Sequence, residues 1–142
     1  MITPKHLIEN ANKYPDKPAL SFKDESGNWV ENSWEEFYNA TKTISKSLIA
    51  CGINKNDKVS IYSYNRKEWV ECYAALQFIN ASAVGVYHTC SSSEVDWIVN
   101  NSDSKIIFVG NNPGDNGEKD KMPIHRLNQI INNLNNVELI VL

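Results

Sequence analysis

The sequence predicts an α/β protein: a mostly parallel sheet with helices on both faces, preceded by an N-terminal helix and a β-hairpin. Three observations predict it. From residue 58 onward, short apolar runs bounded by turn residues alternate with segments of helical spacing, the pattern of parallel strands joined by helical crossovers. One run, Lys105-Ile-Ile-Phe-Val109, is apolar nearly throughout, as a strand buried on both faces requires. Two Ser-x-x-Glu signatures, Ser33/Glu36 and Ser91/Glu94, mark helix starts by the reciprocal hydrogen bonds of a capping box.

Thr3 followed by Pro4 caps and opens a first helix, because proline at the first helical position gives up an amide that had no partner there. That helix ends by Pro15. Ala19-Leu-Ser-Phe22 and Trp29-Val-Glu-Asn32 flank the turn residues 24–28, which makes a hairpin with Gly27 in the turn. A helix over residues 34–51 follows, with Trp34, Phe37, Thr41, Ile44 and Leu48 near one face and Gly52 supplying its left-handed stop.

Residues 58–63 alternate as a strand. Asn65 is placed to cap a helix in which Trp69, Cys72, Tyr73, Leu76 and Ile79 keep helical spacing. Further strands are expected at 83–87 and 105–109, with a helix carrying Val95, Ile98 and Val99 between them. Residues 110–123 are rich in Asn, Gly, Asp and Lys and read as a mobile surface loop. Leu127, Ile130, Ile131 and Leu134 restore a helical stripe, and residues 137–142 form a closing apolar strand. A chain ending inside a fresh strand suggests truncation.

In domain terms, residues 1–33 form helix plus hairpin and residues 34–142 one α/β layer, with no linker between separate domains. Of the 142 residues, 42% are hydrophobic and 22% charged, a globular balance. A net charge of −3 supplies no cationic field for phosphate backbones, so no nucleic acid partner is expected. No apolar run reaches the ~20 residues of a membrane span, and Met1 to His6 contains no signal core; a cytoplasmic protein is the simple reading. Cys51, Cys72 and Cys90 fit reduced structural thiols better than disulfides, and the abundance of asparagine reads as coding bias.

Ligands of open parallel sheets gather beyond the carboxyl ends of the strands, here Tyr64-Asn65-Arg66, residues 87–93 and the loop from Gly110. The first offers helix-start amides and the Arg66 cation, an anion site on electrostatic grounds. The second invites a nucleophile built on Cys90 with His88, although sequence neighbours rarely form such a pair and Ser91 is needed as a cap. His6, His88 and His125 lack metal-ligand spacing, so no metal site is expected; neither GxGxxG nor GxxxxGK[ST] occurs.

Six segments in order and spacing then carry a resemblance: Asp16-Lys-Pro-Ala-Leu20, Ser33-Trp-Glu-Glu-Phe37, Asn56-Asp-Lys-Val-Ser-Ile61, Asn65-Arg-Lys-Glu-Trp69, Gly85-Val-Tyr-His-Thr89 and Ser93-Glu-Val95. Together they resemble the opening of AMP-forming acyl-CoA synthetases of the adenylate-forming (AMP-binding) superfamily. The Asn65-Arg-x-Glu-Trp69 and Val86-Tyr-x-Thr89 runs are most similar to the long-chain fatty-acid–CoA ligase branch. The resemblance covers nearly the whole chain and weakens at residues 110–123.

It implies conversion of ATP, fatty acid and CoA, with Mg2+, to acyl-CoA, AMP and pyrophosphate through an acyl-adenylate. The family's phosphate loop, adenine segment, ribose-binding aspartate and catalytic lysine lie further along its chains and have no counterpart here. The resemblance therefore implies an inactive N-terminal fragment with no catalytic residue and no cofactor of its own, whose partner is the rest of its polypeptide. Peripheral membrane contact would belong to the full enzyme. Tyr64, Asn65, Trp69, Tyr87 and Thr89 are its candidates for lining a cleft, against the plainer reading of Trp69 and Tyr87 as core aromatics. His88 and Cys90 depart from the residues expected at their positions. The rival readings are a free-standing α/β binding or signalling module and an interaction protein that uses the strand edge at residues 137–142.

Overall fold

The computed structural model describes residues 3–24, 26–110 and 122–142. In chain order the elements are α1 (Pro4–Lys13), β1 (Pro18–Lys23), β2 (Trp29–Ser33), α2 (Trp34–Ala50), β3 (Lys58–Ser63), α3 (Lys67–Phe78), β4 (Ser82–Tyr87), α4 (Ser92–Ser102), β5 (Ser104–Val109), α5 (Pro123–Asn128), a 3-10 turn (Ile131–Asn133) and β6 (Leu139–Val141). They fall into two compact units, one of Met1–Lys55 with Arg66–Asn80, the other of Asn56–Asn65 with Ala81–Leu142.

The first unit is three helices and the antiparallel hairpin β1–β2, with Gly27 at φ 82° in the turn. Thr3 caps α1 through its hydroxyl, and Ser33 with Glu36 forms the expected capping box on α2. Hydrogen bonds from the Trp34 amide to Lys17 O and from the Glu35 amide to Pro15 O fix the hairpin to the start of α2. Leu7, Phe37 and Ala74 form the core, with Leu20, Trp34, Tyr38, Val70 and Phe78 packed on it. At its far end α2 closes as a Schellman motif: Ile53 N–H reaches Leu48 O, Gly52 N–H reaches Ile49 O, and Gly52 takes φ 87°. Ile44 is only half-buried, and Ser45 holds the buried position instead, its Oγ donating to Thr41 O at 2.8 Å and Ala75 O at 3.1 Å.

The second unit is a parallel sheet in the order β4-β3-β5-β6. Four successive residues of β3, Val59, Ser60, Ile61 and Tyr62, are buried, so both of its faces are covered. Ser60 Oγ and Ser104 Oγ meet at 2.7 Å, a polar pair between neighbouring strands. On one face Tyr62, Val86, Ile107 and Val109 pack with Val95 and Val99 of α4 and Leu127 of α5. The Ser91/Glu94 capping box forms as expected.

Two expectations are corrected. Asn65 does not cap α3: the N-cap is Arg66, extended at φ −153° and making no side-chain cap bond. The stripe 127–134 is not one helix. The helix ends at Asn128, Ile130 leaves the helical backbone at φ −121°, and after the 3-10 turn Asn100 of α4 binds the chain, its Nδ2 donating to Asn133 O and its Oδ1 accepting from the Asn135 amide. Residues 110–123, read as a loop, lie outside the described residues except for Gly110, Met122 and Pro123.

Candidate functional site at the strand ends

Parallel pairing brings the carboxyl ends of β4, β3 and β5 side by side. Ser63 pairs with Tyr87 across β3–β4, Tyr62 with Val109 across β3–β5, and the Gly110 amide donates to Tyr62 O at 2.8 Å. A Cβ at Gly110 would strike Ser63 Oγ and stand 3.0 Å from Ser63 Cβ and 3.2 Å from its Cα. A larger residue at Gly110 would require Ser63 to shift, so glycine eases this approach. Ser63 Oγ is buried there without a hydrogen-bond partner.

Four of the five cleft candidates meet on this rim. Tyr64 and Asn65 leave β3 half-buried and exposed respectively; Tyr87 and Thr89, at the end of β4, are both exposed. Tyr87 is 79% exposed, so it is not a core aromatic. Between them the His88 ring lies against Tyr64, centroids 4.2 Å apart and planes tilted by 33°. Trp69 belongs to the helical unit, where it is half-buried and stacked on Tyr73 at 5.7 Å.

The turn after β4 is closed by the Cys90 amide on Tyr87 O at 2.9 Å. Cys90 O accepts from Tyr62 Oη at 3.1 Å and from Arg126 Nη1 at 2.7 Å, and the same nitrogen donates to His88 O at 3.1 Å. Burial pushes the Tyr62 phenol up, against the Arg126 cation beside it. No hydrogen bond joins the Cys90 thiol to the His88 ring, so the pair is not arranged as nucleophile and base.

The anion site imagined at Arg66 is compromised by its own sequence neighbour. Arg66 Nε lies 2.7 Å from Glu68. Burial would raise the Glu68 carboxyl, but the Arg66 hydrogen bond and charge outweigh it and hold the group below the usual range. Among the described residues no three His, Cys, Asp or Glu side chains converge to hold a metal ion. The rim offers phenols, an amide, a hydroxyl and an imidazole, and Arg126, behind the turn, is engaged by carbonyls.

Sequence reasoning named Gly110 only as the start of a strand-end loop and missed Arg126 and Tyr62. Only Gly110, a glycine directly after an apolar strand, carries a signal that could have revealed its role.

This architecture recurs in solved structures. A fatty acyl CoA synthetase from Mycobacterium tuberculosis superposes with TM-score 0.75 at 20% identity over 95% of this chain and 25% of that one. The anthranilate CoA ligase AuaEII, bound to anthranoyl-AMP, gives 0.79 at 19% identity over 96% and 24%. In sequence the chain is 30% identical to the long-chain-fatty-acid–CoA ligase ACSBG2 of Xenopus laevis over 103 residues, 72% of this chain and 14% of that protein. It is 29% identical to 4-hydroxybutyrate–CoA ligase 2 of Metallosphaera sedula over 110 residues, 77% and 19%. The chain thus spans less than a fifth of either curated relative. The family model of the AMP-binding enzymes matches residues 7–142, and the chain belongs to that family.

Proposed function

We propose that the chain is the N-terminal part of a long-chain fatty-acid–CoA ligase. The enzyme converts ATP, fatty acid and CoA to acyl-CoA, AMP and pyrophosphate through an acyl-adenylate. The observation that carries this reading is the family match over residues 7–142. The choice of a long-chain acid is supported by the frog ACSBG2 ligase and by long chain acyl-CoA synthetase 4 of Arabidopsis thaliana, 28% identical over 68% of the chain. The 4-hydroxybutyrate ligase competes with them at nearly the same identity.

Within this reading the 142 residues act as a scaffold and are inactive alone, and Tyr64, Asn65, Tyr87 and Thr89 stand on the rim that faces substrate. The support is chemical: the described rim lacks the cations that phosphoryl chemistry requires. The chain binds no cofactor itself; ATP, Mg2+ and CoA are held by the whole enzyme. That enzyme works in the cytoplasm, and the poor solubility of long acyl chains favours peripheral contact with a membrane surface.

The native gene product, identified with an antibody to this segment, tests the proposal. Its mass is expected to be several times 16.1 kDa, and the purified product should release AMP with ATP, CoA and palmitate. A preference for 4-hydroxybutyrate would overturn the long-chain assignment alone. A 16.1 kDa product that releases no AMP with any acid would replace the ligase reading by that of a free-standing α/β binding module.

A further inference from the structure

We infer that Arg126 is a positioning residue that sets the conformation of the turn after β4, and with it the presentation of Tyr87 and Thr89. The functional meaning rests on the rim facing substrate; the geometry does not.

The turn leaves β4 at Tyr87 and enters α4 through the Ser91 cap. His88 and Cys90 send their carbonyls to the same guanidinium nitrogen, at 3.1 and 2.7 Å. With the carbonyls on both sides of Thr89 fixed, the backbone of Thr89 has little freedom left. A charged donor makes these bonds stronger than those between neutral groups. Tyr62 Oη adds a second donor to Cys90 O from the floor of the sheet.

Arg126 is itself held in place by its neighbours. Leu127 is fully buried in the core beneath α5, and Pro123 at the start of that helix is buried too. No carboxylate comes within salt-bridge distance of Arg126 among the described residues, although its charge reaches Glu94 and it lies beside the Tyr62 phenol; two of its hydrogen bonds go to the turn. Two side chains of the turn also help to fix it, His88 on Tyr64 and Cys90 against the core, whereas Tyr87 and Thr89 do not. Tyr87 and Thr89 point to solvent, and the His88 ring lies over Tyr64. A rim whose backbone is clamped from below and whose exposed side chains are unengaged is preorganised for a ligand, since little ordering is left to be done on binding.

Amide exchange and proton NMR of the substrate-free chain test this without any ligase activity, so the result is separable from the fate of the functional proposal. In Arg126→Met the Cys90 amide is expected to exchange at least about tenfold faster, as befits loss of two charge-assisted hydrogen bonds. The His88 ring protons should move away from their Tyr64-shielded positions, while the amides of Ile61 and Val99 keep their protection. Arg126→Lys, whose ammonium can donate to both carbonyls, should restore most of the loss. Unchanged Cys90 exchange and His88 shifts in the Met variant would overturn the inference, and so would a Lys variant as open as the Met variant. If the Met variant does not fold, the folded Lys variant decides: retained Cys90 protection supports the clamp, and its loss refutes it.

Discussion

The two units of this chain are held by different kinds of interaction. In the helical unit most of the fixing bonds are short in sequence: Thr3 to His6, Ser33 to Glu36, Gly52 to Ile49 and the hairpin ladder β1–β2. In the sheet unit they are long: Lys58 pairs with Ser82 and Ser104, Lys105 reaches Asp57 at 2.9 Å, and Arg126 reaches back to His88. The candidate rim lies in the long-range unit, and Trp69 is not part of it. Local rules therefore fold the part that says least about function, whereas the rim exists only once distant strands have paired.

The sharpest way to break this comparison is to remove one buried side chain from each unit. Phe37→Ala is expected to cost about 3–5 kcal/mol and Ile107→Ala about 2–5 kcal/mol, since both residues are fully buried. Urea denaturation gives the totals, and amide exchange shows where the opening lies. The Phe37 variant should open the amides of α1, α2 and α3 first, and the Ile107 variant those of the sheet. Uniform opening in both variants would mean that the units unfold as one.

A gentler probe uses the capping boxes that the units share. Ser33→Ala and Ser91→Ala should each cost about 1 kcal/mol by urea denaturation. Similar losses would show that a local signal is worth the same in either setting. A loss at Ser91 several times that at Ser33 would show that the α4 cap also secures the turn below Tyr87.

The smallest effect expected is at Glu71, buried in α3. Burial raises its carboxyl above the usual range, with Glu68 reinforcing and Lys67 opposing. The folded state thus favours the protonated acid. Its stabilising contribution is complete below the unfolded pKa and is lost as pH rises through the raised folded value. Glu71→Gln should therefore raise the urea midpoint at pH 8 relative to pH 5, compared with the parent chain. An identical pH profile in the two proteins would remove Glu71 as the source.

The capping boxes, the Gly27 and Gly52 turns and the parallel class were legible because each depends on residues within a few positions or on a repeating pattern. The cap at Asn65 was misread because Arg66 stays extended before α3 and offers its side chain to Glu68 instead. The stripe after Leu127 was misread because apolar spacing does not show where the backbone leaves the helix, here after Asn128, with Asn100 of another element binding the chain further on at Asn133 and Asn135. Asparagine, taken as coding bias, here makes a tertiary contact. At the rim, Tyr64, Asn65, Tyr87 and Thr89 could be nominated because strand ends are predictable, whereas Arg126 has partners 36 and 38 residues away with no signature of their own.

The three cysteines sit in three different environments, and this gives the chain a selective chemical handle. Cys51, just past the end of α2, is exposed, Cys90 is half-buried in the turn, and Cys72 is buried. Burial, with the Glu71 and Glu68 carboxylates nearby, pushes the Cys72 thiol up to about 12. Because the thiolate is the species that reacts, Cys72 is closed to alkylating reagents near neutral pH. A maleimide dye should therefore attach first at exposed Cys51, with half-buried Cys90 slower. An unaltered chain can thus carry a fluorophore at one predominant position without an engineered cysteine.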